Sequence, residues 1–221
     1  MAIKNVIFDF DGTLADTLSI VEYALTEVFG KYDGRKITHE EFIAMCGPSE
    51  TGIIKKYFNK KDTVDQAITE FFDLYECKHD DLVARFPFVD ELLGDLNKSG
   101  VRLGLFTGKT RRTLDISLQK LQFVQSFDVI ITGDDVKESK PSPEGLLMAM
   151  KALNADREET VFIGDSDDDM QSGLRARVRT IGAQWMPSRQ SHEYRHTPDR
   201  IITNAADLRM FLSQHIDDFP Q

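Results

Sequence analysis

The chain has 221 residues, 41% apolar and 29% charged, and 27 Lys and Arg stand against 37 Asp and Glu for a net charge of −10. That is a globular balance with room for one large domain or two small ones, and its acidity argues against nucleic acid and anionic membrane as partners, because no basic cluster is dense enough to reverse it. Cys46 and Cys77 lack framework spacing, so buried, reduced thiols in a soluble cytoplasmic protein are expected rather than a disulfide.

The N-terminal apolar run Ile3, Val6, Ile7, Phe8 stops at Asp9, too short and too acidic for a signal peptide or membrane span. It has the continuous apolar character of a strand buried on both faces of a parallel sheet. Residues 16–86 then give no strand. They predict helices over Thr17–Tyr32, His39–Cys46, Ser49–Phe58 and Thr63–Ala84, the last with Val64, Ile68, Phe71, Phe72 and Tyr75 on one apolar face. From Phe86-Pro87-Phe88 onward strand and helix alternate, with strands predicted at Val101–Phe106, Val129–Thr132, Thr160–Ile163, Val178–Ile181 and Ile201–Ile202. This alternation predicts an α/β fold with a parallel sheet, residues 1–15 and 87–221 forming the core and 16–86 a helical insertion.

Four strand ends carry the chemistry. Asp9 and Asp11 follow the first strand in Phe8-Asp9-Phe10-Asp11-Gly12-Thr13, where two carboxylates two residues apart suit a hard cation; a polar Asp-Gly turn is the plainer reading. Thr107-Gly108-Lys109-Thr110 follows the second, and a hydroxyl with free N–H groups at a strand-to-helix junction grips phosphate oxygens, unless Thr107 or Thr110 only caps the helix. Gly104 to Thr110 also mimics a nucleotide P-loop, but its glycine spacing is one residue short. Lys140, in Ser139-Lys140-Pro141, precedes a helix with Ser142 as its cap. Gly164-Asp165-Ser166-Asp167-Asp168-Asp169 ends the fourth strand with more acid than a helix dipole alone explains.

Asp-Phe-Asp-Gly-Thr resembles the first motif of the haloacid dehalogenase-like hydrolases, and the other three motifs follow in that family's order. The resemblance implies a Rossmann-like parallel sheet sandwiched by helices, with residues 16–86 as an inserted helical-bundle cap. It implies hydrolysis of a small phosphate monoester with Asp9 as nucleophile and Asp11 as general acid and base. Thr107, Gly108 and Lys140 would bind phosphate, and Mg2+ would be held by Asp9, the backbone carbonyl of Asp11, Asp165 and Asp169. Gly12 to Leu14 followed by Asp16-Thr17 is similar to the phosphoglycolate phosphatase and pyrophosphatase group. A small phosphorylated metabolite is then the expected partner, of a monomer or dimer.

Two alternatives stay in view, a sugar phosphomutase with a similar site and a phospholigand sensor without catalysis. Relatives commonly place Gly where Arg177 stands, and Arg175, Arg177 and Arg179 read as a solvated face. His192-Glu193-Tyr194-Arg195-His196 matches a zinc-protease pattern, but its polar setting between Pro187 and Pro198 predicts a surface loop or a short exposed helix. Gly47-Pro48, between two predicted helices, either ends one while Ser49 caps the next or forms a loop dipping toward substrate with Ser49 or Glu50.

Overall fold

The computed structural model describes residues 2–220. Its sheet has six parallel strands in the order β3-β2-β1-β4-β5-β6, from β1 (Asn5–Phe8), β2 (Arg102–Phe106), β3 (Val129–Ile131), β4 (Thr160–Gly164), β5 (Arg179–Ala183) and β6 (Arg200–Ile202). The predicted α/β class and all six strands are present. β1 lies between β2 and β4, in register Phe8 to Leu105 and Phe8 to Ile163, so residues just past three strands meet at one edge.

Within the apolar runs the two-residue side-chain period sorts the core into two layers. Val6, Phe8, Leu103, Leu105, Val161 and Ile163 face one layer, while Ile7, Phe106 and Phe162 face the other. The second layer is closed by α7 (Glu144–Leu153) and α8 (Asp167–Ala176) through Leu146, Met150 and Ala176. Both faces are covered, which is why these strands are apolar throughout rather than alternating with polar residues.

Between β1 and α5 (Pro87–Lys98) the chain is helical: α1 (Leu18–Val28), α2 (His39–Met45), α3 (Glu50–Tyr57) and α4 (Val64–Leu82). A π turn at Phe29–Asp33 ends α1, and a capping box between Thr38 and Glu41 starts α2. Helix α4 buries Ala67, Phe71, Phe72, Tyr75 and His79. It packs on α1 within the insertion and on α6 (Arg111–Leu121) of the sheet layer, where Tyr75 Oη and His79 Nε2 lie 2.8 and 3.0 Å from Ser117 Oγ. Helix α9 (Ala205–Ser213) completes the described chain beside β6.

Two local expectations need correction. Cys77 is exposed rather than buried, because it lies two residues beyond Tyr75 and so on the opposite side of α4; Cys46, at the end of α2, is half-buried, and both are free. The cap position of α7 is Pro143, not Ser142, although Ser142 Oγ still accepts from Glu144 N at 3.3 Å. Arg175 and Arg177 are exposed, in keeping with a solvated face, and Arg175 Nη1 also donates to the Pro141 carbonyl at 2.9 Å.

Arg177 ends α8 in the left-handed region, with φ at 57°. That conformation costs an L-residue about 1–2 kcal/mol and glycine nearly nothing, which accounts for the glycine expected at this turn. Arg177→Gly is expected to stabilise the fold by about 0.5–1 kcal/mol after the extra chain entropy of glycine is subtracted. A rise of about 1–4 °C in the thermal midpoint would register it.

His79 supplies a pH-dependent term. Burial, then the charges of Lys109 and Lys120, hold its imidazole down to about 4 from an ordinary value of 6.5. The unfolded chain therefore binds a proton between those values that the folded chain excludes, so stability is lost as pH falls from 6.5 toward 4. His79→Gln is expected to flatten the fall in denaturation free energy across that window by up to about 1.4 kcal/mol per pH unit.

Candidate active site

Asp9 immediately follows β1, and its backbone N donates to the Ile163 carbonyl at 2.8 Å, which extends the strand pairing to the nucleophile candidate itself. Its carboxylate is 3% exposed and accepts from Lys140 Nζ at 2.7 Å. After Asp9 the backbone turns sharply: Thr13, Leu14 and Ala15 all donate to the Phe10 carbonyl, and Gly12 takes a φ of 76°. A Cβ at Gly12 would collide with the Asp165 carboxylate, so glycine here serves both the turn and the approach of β4. The Asp-Gly pair does make a turn, yet the turn leads into α1 and sets Asp11 in the same cavity as Asp9.

Asp165 and Asp169 come from the end of β4 and the start of α8. Ser166 caps α8 in a reciprocal box, its N and Oγ reaching Asp169 Oδ2 at 3.0 and 2.5 Å. Asp169 Oδ1 is left to Lys140 Nζ, 2.6 Å away as an ion pair though not aligned as a hydrogen bond. Asp165 Oδ2 accepts from Gln190 N at 2.6 Å, while its Oδ1 is buried without a hydrogen-bond partner.

Side-chain oxygens of Asp9, Asp165 and Asp169 all lie within 4.8 Å of one another. Burial, with the Asp169 charge working against Lys140, pushes the Asp9 carboxyl up to about 7, and burial with the Asp9 and Asp169 charges pushes Asp165 well up too. Of these three buried carboxylates, Asp9 and Asp169 share the one ammonium and Asp165 has none. An all-oxygen donor set with an orphaned buried oxygen and excess negative charge fits a hard divalent cation. The Asp11 side chain is outside this cluster and faces Lys109, which leaves only its backbone carbonyl for such an ion.

The phosphate-side expectations are also brought together. Thr107, Gly108 and Lys140 line the cavity that contains Asp9 and Asp11. Thr110, not Thr107, caps α6 by accepting from Thr113 N, which frees Thr107 from the capping role. Lys140 is held over the Phe106 and Phe162 rings at 4.7 and 5.5 Å, and its proton affinity is raised because the Asp169 and Asp9 charges outweigh burial.

Asp167 and Asp168 part company. Asp168 lines the cavity, and burial with its acidic neighbours raises its carboxyl. Asp167 turns away and accepts from His196 N and Nδ1 at 2.8 and 2.9 Å. This anchors the segment carrying His192 and His196, which is an irregular loop and not the short helix also considered; His196 is engaged by Asp167 and Gln171.

The same segment closes over the first motif, with Trp185 Nε1 donating to the Thr13 carbonyl at 2.8 Å. Nothing in the spacing of Trp185 or Gln190 announces those contacts. Lys109 and Glu50 were also undervalued by sequence. Lys109 is 2% exposed and lies 3.0 Å from Asp11 Oδ1 and 3.2 Å from Glu50 Oε1. The Gly47-Pro48 bend separates α2 from α3, with Ser49 at the cap position of α3 but making no side-chain cap hydrogen bond, and Gly47, Pro48 and Glu50 line the cavity.

A six-stranded parallel sheet with a carboxylate cluster and two buried lysines at its carboxyl edge defines a Rossmann-like α/β class with a candidate active site at the strand ends. The family pattern of haloacid dehalogenase-like hydrolases matches residues 6–183. The chain is similar to Pyrophosphatase PpaX of Oceanobacillus iheyensis, 34% identical over 210 residues that cover 94% of this chain and 96% of the relative. It is 32% identical to Pyrophosphatase PpaX of Bacillus mycoides over 216 residues, 97% and 99% of the two chains. The fold superposes on the crystal structure of CbbY from Rhodobacter sphaeroides with a TM-score of 0.80 at 23% identity, covering 93% of this chain and 96% of that one. The chain belongs to the haloacid dehalogenase-like hydrolases and is an enzyme on the phosphatase side of that family. Among the described residues no helix is long and apolar enough to cross a membrane.

Proposed function

We propose that the chain is a Mg2+-dependent phosphatase of small phosphorylated metabolites that works through an aspartyl phosphate on Asp9. The observation that carries this reading is the placement of Asp9, buried 2.7 Å from Lys140, within the Asp165 and Asp169 cluster, and in one cavity with Asp11. Asp9, Asp165, Asp169 and the Asp11 carbonyl would hold the ion, which offsets negative charge on phosphate and on the carboxylates.

In the first step an Asp9 oxygen forms the new bond to phosphorus while the ester P–O bond breaks, and the leaving oxygen takes a proton from Asp11. In the second, Asp11 accepts a proton from water as that water attacks phosphorus, which releases phosphate and restores both carboxyl groups. Thr107 and the N–H groups at Gly108 orient the phosphoryl oxygens, and Lys140 balances the charge they gather. Residues 16–86 act as the cap and residues 1–15 with 87–221 as the catalytic core, the Cys46–Glu50 stretch excluding bulk water.

The printed name of the relatives, pyrophosphatase, makes inorganic pyrophosphate the first substrate to test beside phosphomonoesters. The same displacement cleaves an anhydride, with phosphate as the leaving group. Purified protein assayed on both classes should release phosphate with Mg2+ and none with a chelator, and beryllium fluoride should block turnover by occupying Asp9. Phosphorus NMR separates hydrolysis from mutase chemistry, since a mutase conserves organic phosphate. No turnover of any substrate with Mg2+ present would sink the proposal.

A further inference from the structure

Lys109 is a lysine with no exposed side-chain surface, and the two-step chemistry above gives it no role. Lysine is almost never buried completely unless paired, and here its partners come from two different parts of the chain. From the sheet side it contacts Asp11 Oδ1 at 3.0 Å. From the insertion come Glu50 Oε1 at 3.2 Å and the face of Tyr75, whose ring centre is 4.7 Å from Nζ.

Glu50 is itself fully engaged across the same boundary. Its Oε2 accepts from Thr110 N at 2.6 Å and its Oε1 from Thr113 Oγ1 at 2.7 Å, both on the first turn of α6. A carboxylate of the insertion thus sits at the start of a sheet-layer helix, where the dipole favours it, and presents its remaining charge to Lys109. Both contacts to Asp11, from Lys109 Nζ and Thr17 Oγ1, fall on Oδ1. Oδ2 is thereby the oxygen left for proton transfer.

We infer that Lys109 is a positioning residue for Asp11, held in place by Glu50 and Tyr75 of the insertion, so that the acid–base carboxyl is correctly aimed only while the insertion is docked on α6. This inference rests on the acid–base reading of Asp11. If the insertion moved away, Glu50 and Tyr75 would leave together, and the ammonium would be drawn into water and away from Asp11 Oδ1. Proton delivery is then coupled to exclusion of water by one buried cation.

Leaving-group dependence reads this out. An alkyl ester such as glycerol 2-phosphate needs a proton on its departing oxygen, whereas p-nitrophenolate leaves without one. Asp11→Asn is expected to depress kcat/KM, which reports the first step and not the hydrolysis of the aspartyl phosphate that both esters share, at least about 100-fold more on the alkyl ester than on p-nitrophenyl phosphate, within the range of general acid catalysis. Lys109→Met should show the same selectivity at about 10-fold or more, and Glu50→Gln at about 3-fold or more, with KM for p-nitrophenyl phosphate within about 2-fold of the parent. Glu50→Gln retains much of the shape of the docked loop, so it remains informative if Lys109→Met does not fold. Equal losses on both esters in Lys109→Met and Glu50→Gln, beside a selective Asp11→Asn, would overturn the inference. Equal losses of kcat/KM in Asp11→Asn would remove the general-acid reading and the inference with it.

Discussion

Asp9→Asn is expected to reduce kcat at least about 1,000-fold on every substrate the enzyme turns over, because an amide cannot form the phosphoryl ester and nothing beside it substitutes as nucleophile. Asp11 lines the same cavity, but it is outside the Asp9 cluster and its carboxylate is held by Lys109 and Thr17. The loss should be chemical rather than structural. Burial and the Asp169 charge already push the Asp9 carboxyl up to about 7, so a neutral amide of the same shape relieves repulsion as it forfeits the Lys140 ion pair. Thermal melts in chelator should therefore place the variant within a few degrees of the parent, while the stabilisation by added Mg2+ shrinks because one of its oxygen donors is weakened. Retained turnover with a correctly folded variant would refute the nucleophile assignment.

Lys140→Met should combine the second large kinetic loss with the largest loss of stability. Lys140 is the ammonium shared by Asp9 and Asp169, at 2.7 and 2.6 Å, and methionine fills a similar volume between Phe106 and Phe162 without the charge. Removing one partner of a buried ion pair costs about 3–5 kcal/mol because the other charges stay uncompensated. For a chain of this size that is a fall of about 6–20 °C in the thermal midpoint, measured in chelator. Mg2+ should restore much of it, since a divalent ion within the cluster supplies the missing positive charge. Catalysis should not recover in step, with kcat still down about 100-fold, because the lysine also balances charge on the phosphoryl group. A variant as stable as the parent without metal would show that Lys140 does not carry the charge balance of the cluster.

These two variants differ in what metal can repair, and that difference follows from geometry. Asp9 would both donate to the ion and attack phosphorus, so its loss removes a function no cation performs. Lys140 balances charge that a cation also balances, so only its contribution at the phosphoryl group is irreplaceable.

The sequence by itself determined the strands, the helical insertion and the order of the four acidic and basic motifs. Apolar runs of four to six residues ending in Asp9, Thr107 and Asp165 can bury both faces only in a covered parallel sheet, and such a sheet aligns its carboxyl ends. Local rules served equally well at the Arg177 turn, whereas the Ser166 and Asp169 capping box emerged only with the structure.

Only the tertiary structure decided which charges meet. Glu50 and Lys109 are 59 residues apart in sequence, and neither has a periodicity or spacing that marks the other. Lys109 looked like one more polar residue at a helix start until α4 and the Glu50 turn closed over it. Gln190 reaches Asp165 from 25 residues away through a segment with no regular structure. Apolar patterning is dictated locally by the period of a strand or helix, whereas the pairing of a buried charge depends on which distant element desolvates it. That desolvation exists only once the insertion and the sheet are packed together.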